Sequence, residues 1–193
     1  MWYRTTFLAA ATIAAALPAA AQTRRGLFVG VGAGDGTARV TCGGCPELYA
    51  KRQPSFTSTL RAGATINGYV ALGAELNRWS KVDNFQTHTR LLDVTGAVYV
   101  YPDQTGFFFK AGAGLSRATI EQGPTIGGST TRASGLGLMA GGGVDIAIGR
   151  VLAVTPMVTY WRGSPGELTF QGTVIPKNVK HNVLELSVGV TLY

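Results

Sequence analysis

The side chains with which this chain could do chemistry are two cysteines, two histidines and a set of charged residues placed at alternate positions. Cys42 and Cys45 stand in a CGGC run. In a reducing compartment that spacing suggests zinc or dithiol redox work. A zinc site would need two more ligands, and only His88 and His181 remain, both distant in sequence. In an exported chain an oxidised Cys42–Cys45 pair tightening one loop is the better reading, with the two glycines permitting the sharp bend. The sequence therefore assigns no metal and no cofactor.

The histidines raise a second chemistry, acyl transfer. A lipase-type site needs a nucleophile, a histidine base and an orienting acid. Ser80, Asp83 and Glu185 are candidate partners for His88 and His181. No G-x-S-x-G elbow accompanies them. Two histidines near predicted loop ends are better read as interfacial polar residues, and no catalytic residue is assigned. Glycine-rich runs such as GVGAGDG and AGGGVD lack the GK[ST] and the following helix that a phosphate loop requires. The basic residues are scattered rather than interleaved with stacking aromatics, so no nucleic-acid partner is expected.

What must position these residues is legible in the punctuation of the chain. It opens MWYRTTFLAAATIAAALPAAAQ. Arg4, an apolar core from Phe7 to Leu17 and the small residues Ala19 to Ala21 form an export leader, with cleavage expected after Ala21. The core is too short to span a bilayer as a helix. Residues 1–21 are thus read as a signal peptide and 22–193 as one domain. Charged residues make up only 14% of the chain, against about 25% in soluble domains. Its net charge is +7, and anionic lipid is the partner that suits an exported basic protein.

Between turn signals, eight segments show apolar residues at every second position. They lie near 25–34, 56–66, 69–79, 90–101, 107–120, 133–148, 151–161 and 183–193. Short joins at Asn67-Gly68, Pro102 to Gly106 and Gly149-Arg150 alternate with longer polar stretches near 35–55, 79–87, 120–132 and 162–179. That alternation predicts an all-β fold, an eight-stranded antiparallel up-and-down transmembrane barrel with short turns at the periplasmic end. Pro156 lies on the apolar face of the seventh segment and predicts a bulge or weak pairing. Aromatics near the segment ends suit two interfacial girdles: Tyr69, Tyr101, Phe107 and Tyr193 at one, Phe56, Trp79, Phe85 and Trp161 at the other.

A soluble carrier barrel would turn its apolar rows inward and cover its exterior with charge. Here the second row is mostly glycine and alanine, with Arg61, Glu75, Asp93, Lys110, Asp145 and Glu185 spread along it. Those six charges are expected to line the lumen and pair there, because isolated buried charge is costly. Eight strands enclose a space their own side chains can fill. A lumen occupied by an ion-pair network is therefore the expectation, and a narrow channel the alternative. The loop margins are basic, and Arg78, Lys81 and Arg162 are expected to contact lipopolysaccharide phosphates.

The joins YVYPDQTGFFFKAGAGLSR and GGGVDIAIGRVLAVTPMVTYW and the final NVLELSVGVTLY resemble the small OmpA/OmpX-like "porin family" of outer-membrane β-barrels. The resemblance implies a cell outer membrane location, a monomer in outer-membrane lipid, a structural or surface-interaction role, and insertion by the barrel assembly machinery. That machinery reads a C-terminal strand ending in an aromatic. Tyr193 matches that end, although Leu184 to Leu192 occupy the neighbouring parity; either the last pair is irregular or Leu192 takes the aromatic's place. Some barrels of this size modify lipid A. The compact His-Ser and Asn-Pro-Gly runs associated with the deacylases are absent.

Overall fold

The computed structural model describes residues 26–42, 49–83, 87–103, 105–122, 130–170 and 173–193; of these, the side chains of 42, 49–50, 167–170 and 173–178 are not described. The leader and the side chains of Cys42 and Cys45 fall outside the described set. Nine strand segments run in order: β1 Gly26–Cys42, β2 Tyr49–Asn67, β3 Val70–Val82, β4 His88–Val100, β5 Phe107–Glu121, β6 Thr130–Val144, β7 Ile146–Ile148, β8 Leu152–Phe170 and β9 Thr173–Leu192. All pairings are antiparallel, consecutive strands pair except β6 with β7, and β1 also pairs β9. Pairing of β6 with β8 closes the ring. The short β7 continues the line of β6 in the same register against β8, so the segments make eight staves.

Two of the tight joins have a clear local cause. Asn67 Oδ1 accepts the amides of Tyr69 and Val70, both at 2.9 Å, and holds the β2–β3 turn. Gly149 turns the β7–β8 corner at φ +79°, in the left-handed region a side chain resists.

The staves extend beyond the expected stripes. Much of what reads as loop at 35–55 and 162–179 is paired strand, with Gly36↔Ser55 and Thr37↔Pro54 in one hairpin and Leu168↔Ile175 in the other. Crossing a bilayer takes about 9–11 residues, and β8 and β9 have 19 and 20. Past the apolar zone the outward positions turn polar, as at Thr37, Arg39 and Thr41, while the inner positions Ala38 and Val40 stay buried, so the ladder continues with no outward apolar stripe to announce it.

Burial alternates along the staves, most regularly in β4 from His88 to Val100. Leu115, Val188 and Leu186 face outward and are exposed, while Phe28, Tyr99, Phe108 and Met139 fill the centre. That orientation excludes a carrier barrel with its apolar rows inside. Pro156 pairs with Val188 without a slip. On its other side the ladder stops at Gly143↔Met157 and resumes at Ile146↔Val154, so the missing donor falls in a gap. The girdle expectation needs correction. Phe56, Tyr69 and Phe107 face outward, whereas Trp79, Trp161 and Tyr101 are buried inside. Trp79 lies on the same row as Glu75 and Asn77, and alternation sends it inward. Phe85 lies outside the described residues.

Candidate functional site

The candidate site is the lumen. Each of the six charged residues read from the sequence is at most 4% exposed. Three clusters occupy successive levels, and most of their bonds join staves that are not neighbours in the sheet.

Nearest the short turns, Arg61 of β2 reaches across to Asp145, between β6 and β7. Its Nη2 donates to Asp145 Oδ1 at 3.1 Å and to Thr155 Oγ1 at 2.8 Å, and also to Thr191 Oγ1. Thr155 Oγ1 donates to the same carboxylate at 2.7 Å. Tyr101 OH donates to Asp145 Oδ2 at 3.1 Å, as does the Tyr193 hydroxyl. Arg61 crosses over Gly30, where a Cβ would lie 2.9 Å from its Nε. The terminal aromatic thus points inward and Leu192, half-exposed, takes the lipid-facing place.

At mid-height Lys110 Nζ of β5 donates to both Glu75 oxygens of β3, at 2.9 and 2.7 Å, and Tyr99 OH adds a bond to Oε1 at 2.7 Å. Glu185 of β9 has neutral partners. Thr59 Oγ1 donates at 3.1 Å, Trp161 Nε1 at 3.2 Å, and Asn77 Nδ2 donates as well. The rings of Trp161 and Trp79 are completely buried, and Trp79 Nε1 donates to the Gly36 carbonyl at 3.0 Å. Higher still, His181 Nε2 lies 3.2 Å from Asp93 Oδ2 and 3.4 Å from Ser116 Oγ.

His181 was not among the expected lumen residues, although the row Glu185, Val183 extends to it by one more step of two. Its neighbours were not the expected acid and serine either. Asp83 Oδ1 accepts the Thr87 amide, Ser80 offers its carbonyl to Ser55, and His88 is exposed on the outer row of β4. In a hydrolase relay the acid holds one ring nitrogen while the other addresses serine. Here both contacts use Nε2, and buried Nδ1 has no hydrogen-bond partner.

The three residues expected to contact lipopolysaccharide are not gathered. Arg78 is exposed on the outer row of β3 and Arg162 on that of β8, four staves apart in either direction. Lys81 follows the inward row and donates to Gln53 Oε1 at 2.8 Å.

An outward apolar wall around a packed polar centre is the arrangement a bilayer demands of strands, and the family comparison agrees. The model of the outer membrane protein beta-barrel domain matches residues 6–191. The chain belongs to this outer-membrane barrel family. Its place is the cell outer membrane. Among solved structures it is similar to Neisserial surface protein A, at 20% identity and TM-score 0.57, covering 86% of this chain and 96% of that one. It is also similar to Ail, the attachment invasion locus protein of Yersinia pestis, solved with the heparin analogue sucrose octasulfate: 12% identity, TM-score 0.56, 86% and 99% covered. OprG of Pseudomonas aeruginosa gives 12% identity, TM-score 0.50, 89% and 98% covered. At these identities the likeness concerns the fold. No curated protein sequence matches the chain.

Proposed function

We propose that this barrel works as a closed, monomeric envelope element with a surface-interaction role, its lumen plugged by paired charges. The observation that carries the reading is the reach of the inner bonds. β4 and β9 stand opposite each other in the ring, yet Asp93 and His181 are 3.2 Å apart. Side chains that meet from opposite walls leave no continuous column for ions at that level. The Arg61–Asp145 and Lys110–Glu75 pairs add two further crossings. The reading is non-catalytic, because serine and carboxylate compete for one imidazole nitrogen. Outside, exposed cations such as Arg78 and Arg162 meet lipopolysaccharide phosphates, each adding about 1 kcal/mol of attraction at an anionic surface.

The test is conductance of the purified, refolded protein in planar bilayers. A plugged barrel gives no steady current, and a large stable conductance overturns the proposal. A narrow hydrated path is the second reading. Thr95 Oγ1, Thr159 Oγ1 and Ser187 Oγ favour it, as buried inner-row atoms with no protein partner. Small, rare openings in the same recording would select it.

A further inference from the structure

Register and parity together place at least one exposed, outward-facing cation on each stave, above its apolar row. On one wall three of them converge. Arg39 of β1 and Arg162 of β8 are both directly opposite Asn182 of β9. Lys180 lies two residues further up β9 on the same face, opposite Thr41. Two strand spacings put the arginine backbones about 10 Å apart, with Lys180 about 7 Å along from their midpoint. Side chains of that length reach one small anion at the centre. Just below, Tyr160, Leu184 and Leu186 are exposed and apolar, so the trio sits at headgroup height.

The centre is polar and incomplete, since Asn182 Oδ1 is buried without a hydrogen-bond partner. Among the described residues, the outward neighbours Thr37, Thr41, Tyr160, Ser164 and Leu184 include no acid. The opposite wall carries the same figure in neutralised form. Arg78 and Arg117 flank Leu92, with Arg90 two residues above it. There Arg90 pairs with Glu121 at 3.4 Å, Arg117 Nε donates to Ser134 Oγ at 3.3 Å, and the middle residue is apolar.

We propose that Arg39, Arg162, Lys180 and Asn182 form a cradle for the phosphorylated sugar headgroup of an outer-leaflet glycolipid. The three cations hold the phosphate, and the half-buried Asn182 turns its side-chain amide outward to meet a sugar hydroxyl. This deepens the surface reading above and depends on the outer-membrane placement, not on whether the lumen is plugged.

The experiment uses the full protein refolded in phosphatidylcholine vesicles doped with intact lipopolysaccharide or with lipopolysaccharide stripped of phosphate. Heat-modifiable gel migration establishes the folded barrel for every variant. R39Q/R162Q/K180Q is expected to weaken retention of intact lipopolysaccharide about a hundredfold, roughly fivefold per cation. R78Q/R90Q/R117Q, which removes the same charge at the same height, is expected to weaken it less than tenfold. R39K/R162K, which keeps the charge, should stay within about tenfold of the parent and serves if the glutamine variant fails to fold. Equal loss in the two triple variants overturns the cradle in favour of diffuse attraction. Equal retention of the phosphate-free glycolipid overturns it outright. Competition by soluble inorganic phosphate at low concentration would assign the cradle to free phosphate instead of a headgroup.

Discussion

His181 and Asp93 meet at 3.2 Å although their strands, β9 and β4, are half the circumference of the barrel apart. A contact of that kind ties the ring across its diameter, which the sheet ladder alone does not do. Neither side chain is more than 2% exposed. Whatever each loses by leaving water must be recovered from the other, from Ser116 and from the surrounding packing.

Replacing either partner should therefore cost more than replacing both. We predict that Asp93→Leu or His181→Leu alone lowers stability by about 1.5–3 kcal/mol, the range for hydrogen bonds to charged groups. The double variant should recover at least half of that loss. Urea unfolding in vesicles, analysed as a double-mutant cycle, measures the coupling. Strictly additive losses would mean the contact contributes nothing.

The Lys110–Glu75 pair is more demanding, since both members are fully buried and both carboxylate oxygens are engaged. Lys110→Met leaves Glu75 the Tyr99 hydroxyl as its donor among the described residues. The expected cost is about 3–5 kcal/mol, as for other broken buried pairs. Adding Glu75→Gln should return most of it, because the uncompensated charge is then gone. A Lys110→Met variant as stable as the parent in the same unfolding assay would show that Glu75 does not depend on the cation.

These residues also mark what could be read without coordinates. Period two assigned Arg61, Glu75, Asp93, Lys110, Asp145 and Glu185 to one face, and that face is buried. Which of them meet was not legible, since a partner on a non-adjacent stave is set by barrel closure and side-chain reach. Nor did periodicity announce the strand extensions from Asp35 to Cys42 and from Arg162 to Phe170, where the outward row is polar at Thr37, Arg39, Thr41, Arg162 and Ser164 although inner residues such as Ala38 and Val40 stay buried. Trp79 and Trp161 went astray for another reason. Their nearness to strand ends suggested a girdle, while their parity already placed them inside. The break at Asp145 has a cause visible only in three dimensions: its amide donates to the Gly106 carbonyl at 2.9 Å, and its carboxylate turns in to Arg61.

Gly163 shows how tightly the upper lumen is fitted. A Cβ at this position would lie 2.2 Å from both His181 Cε1 and Ser116 Oγ. Neither can retreat freely, since the imidazole also contacts Asp93. Gly163→Ala is predicted to destabilise by about 1–3 kcal/mol, the usual cost of overpacking. His181→Ala in the same chain should relieve it. Persistence of the full penalty in that double variant would place the strain at Ser116 or in the backbone of β8 instead.

The orientation of the whole barrel can be tested on a single strand. Along β9, Leu184, Leu186, Val188, Val190 and Leu192 are all exposed on the outer face, with Val188 at the midpoint of the row. A cation there must sit in hydrocarbon, whereas one at Asn182, beyond the end of the row, reaches headgroups and water. The cost of arginine on the lipid face of a barrel is about 2–4 kcal/mol at the midplane and about 0–1 near the interface. Val188→Arg should therefore lose stability within the first range and Asn182→Arg within the second. Refolding into vesicles and titrating with urea gives both values. If the two substitutions cost the same, β9 is not crossing a hydrocarbon layer at Val188, and the outward apolar row has some other purpose.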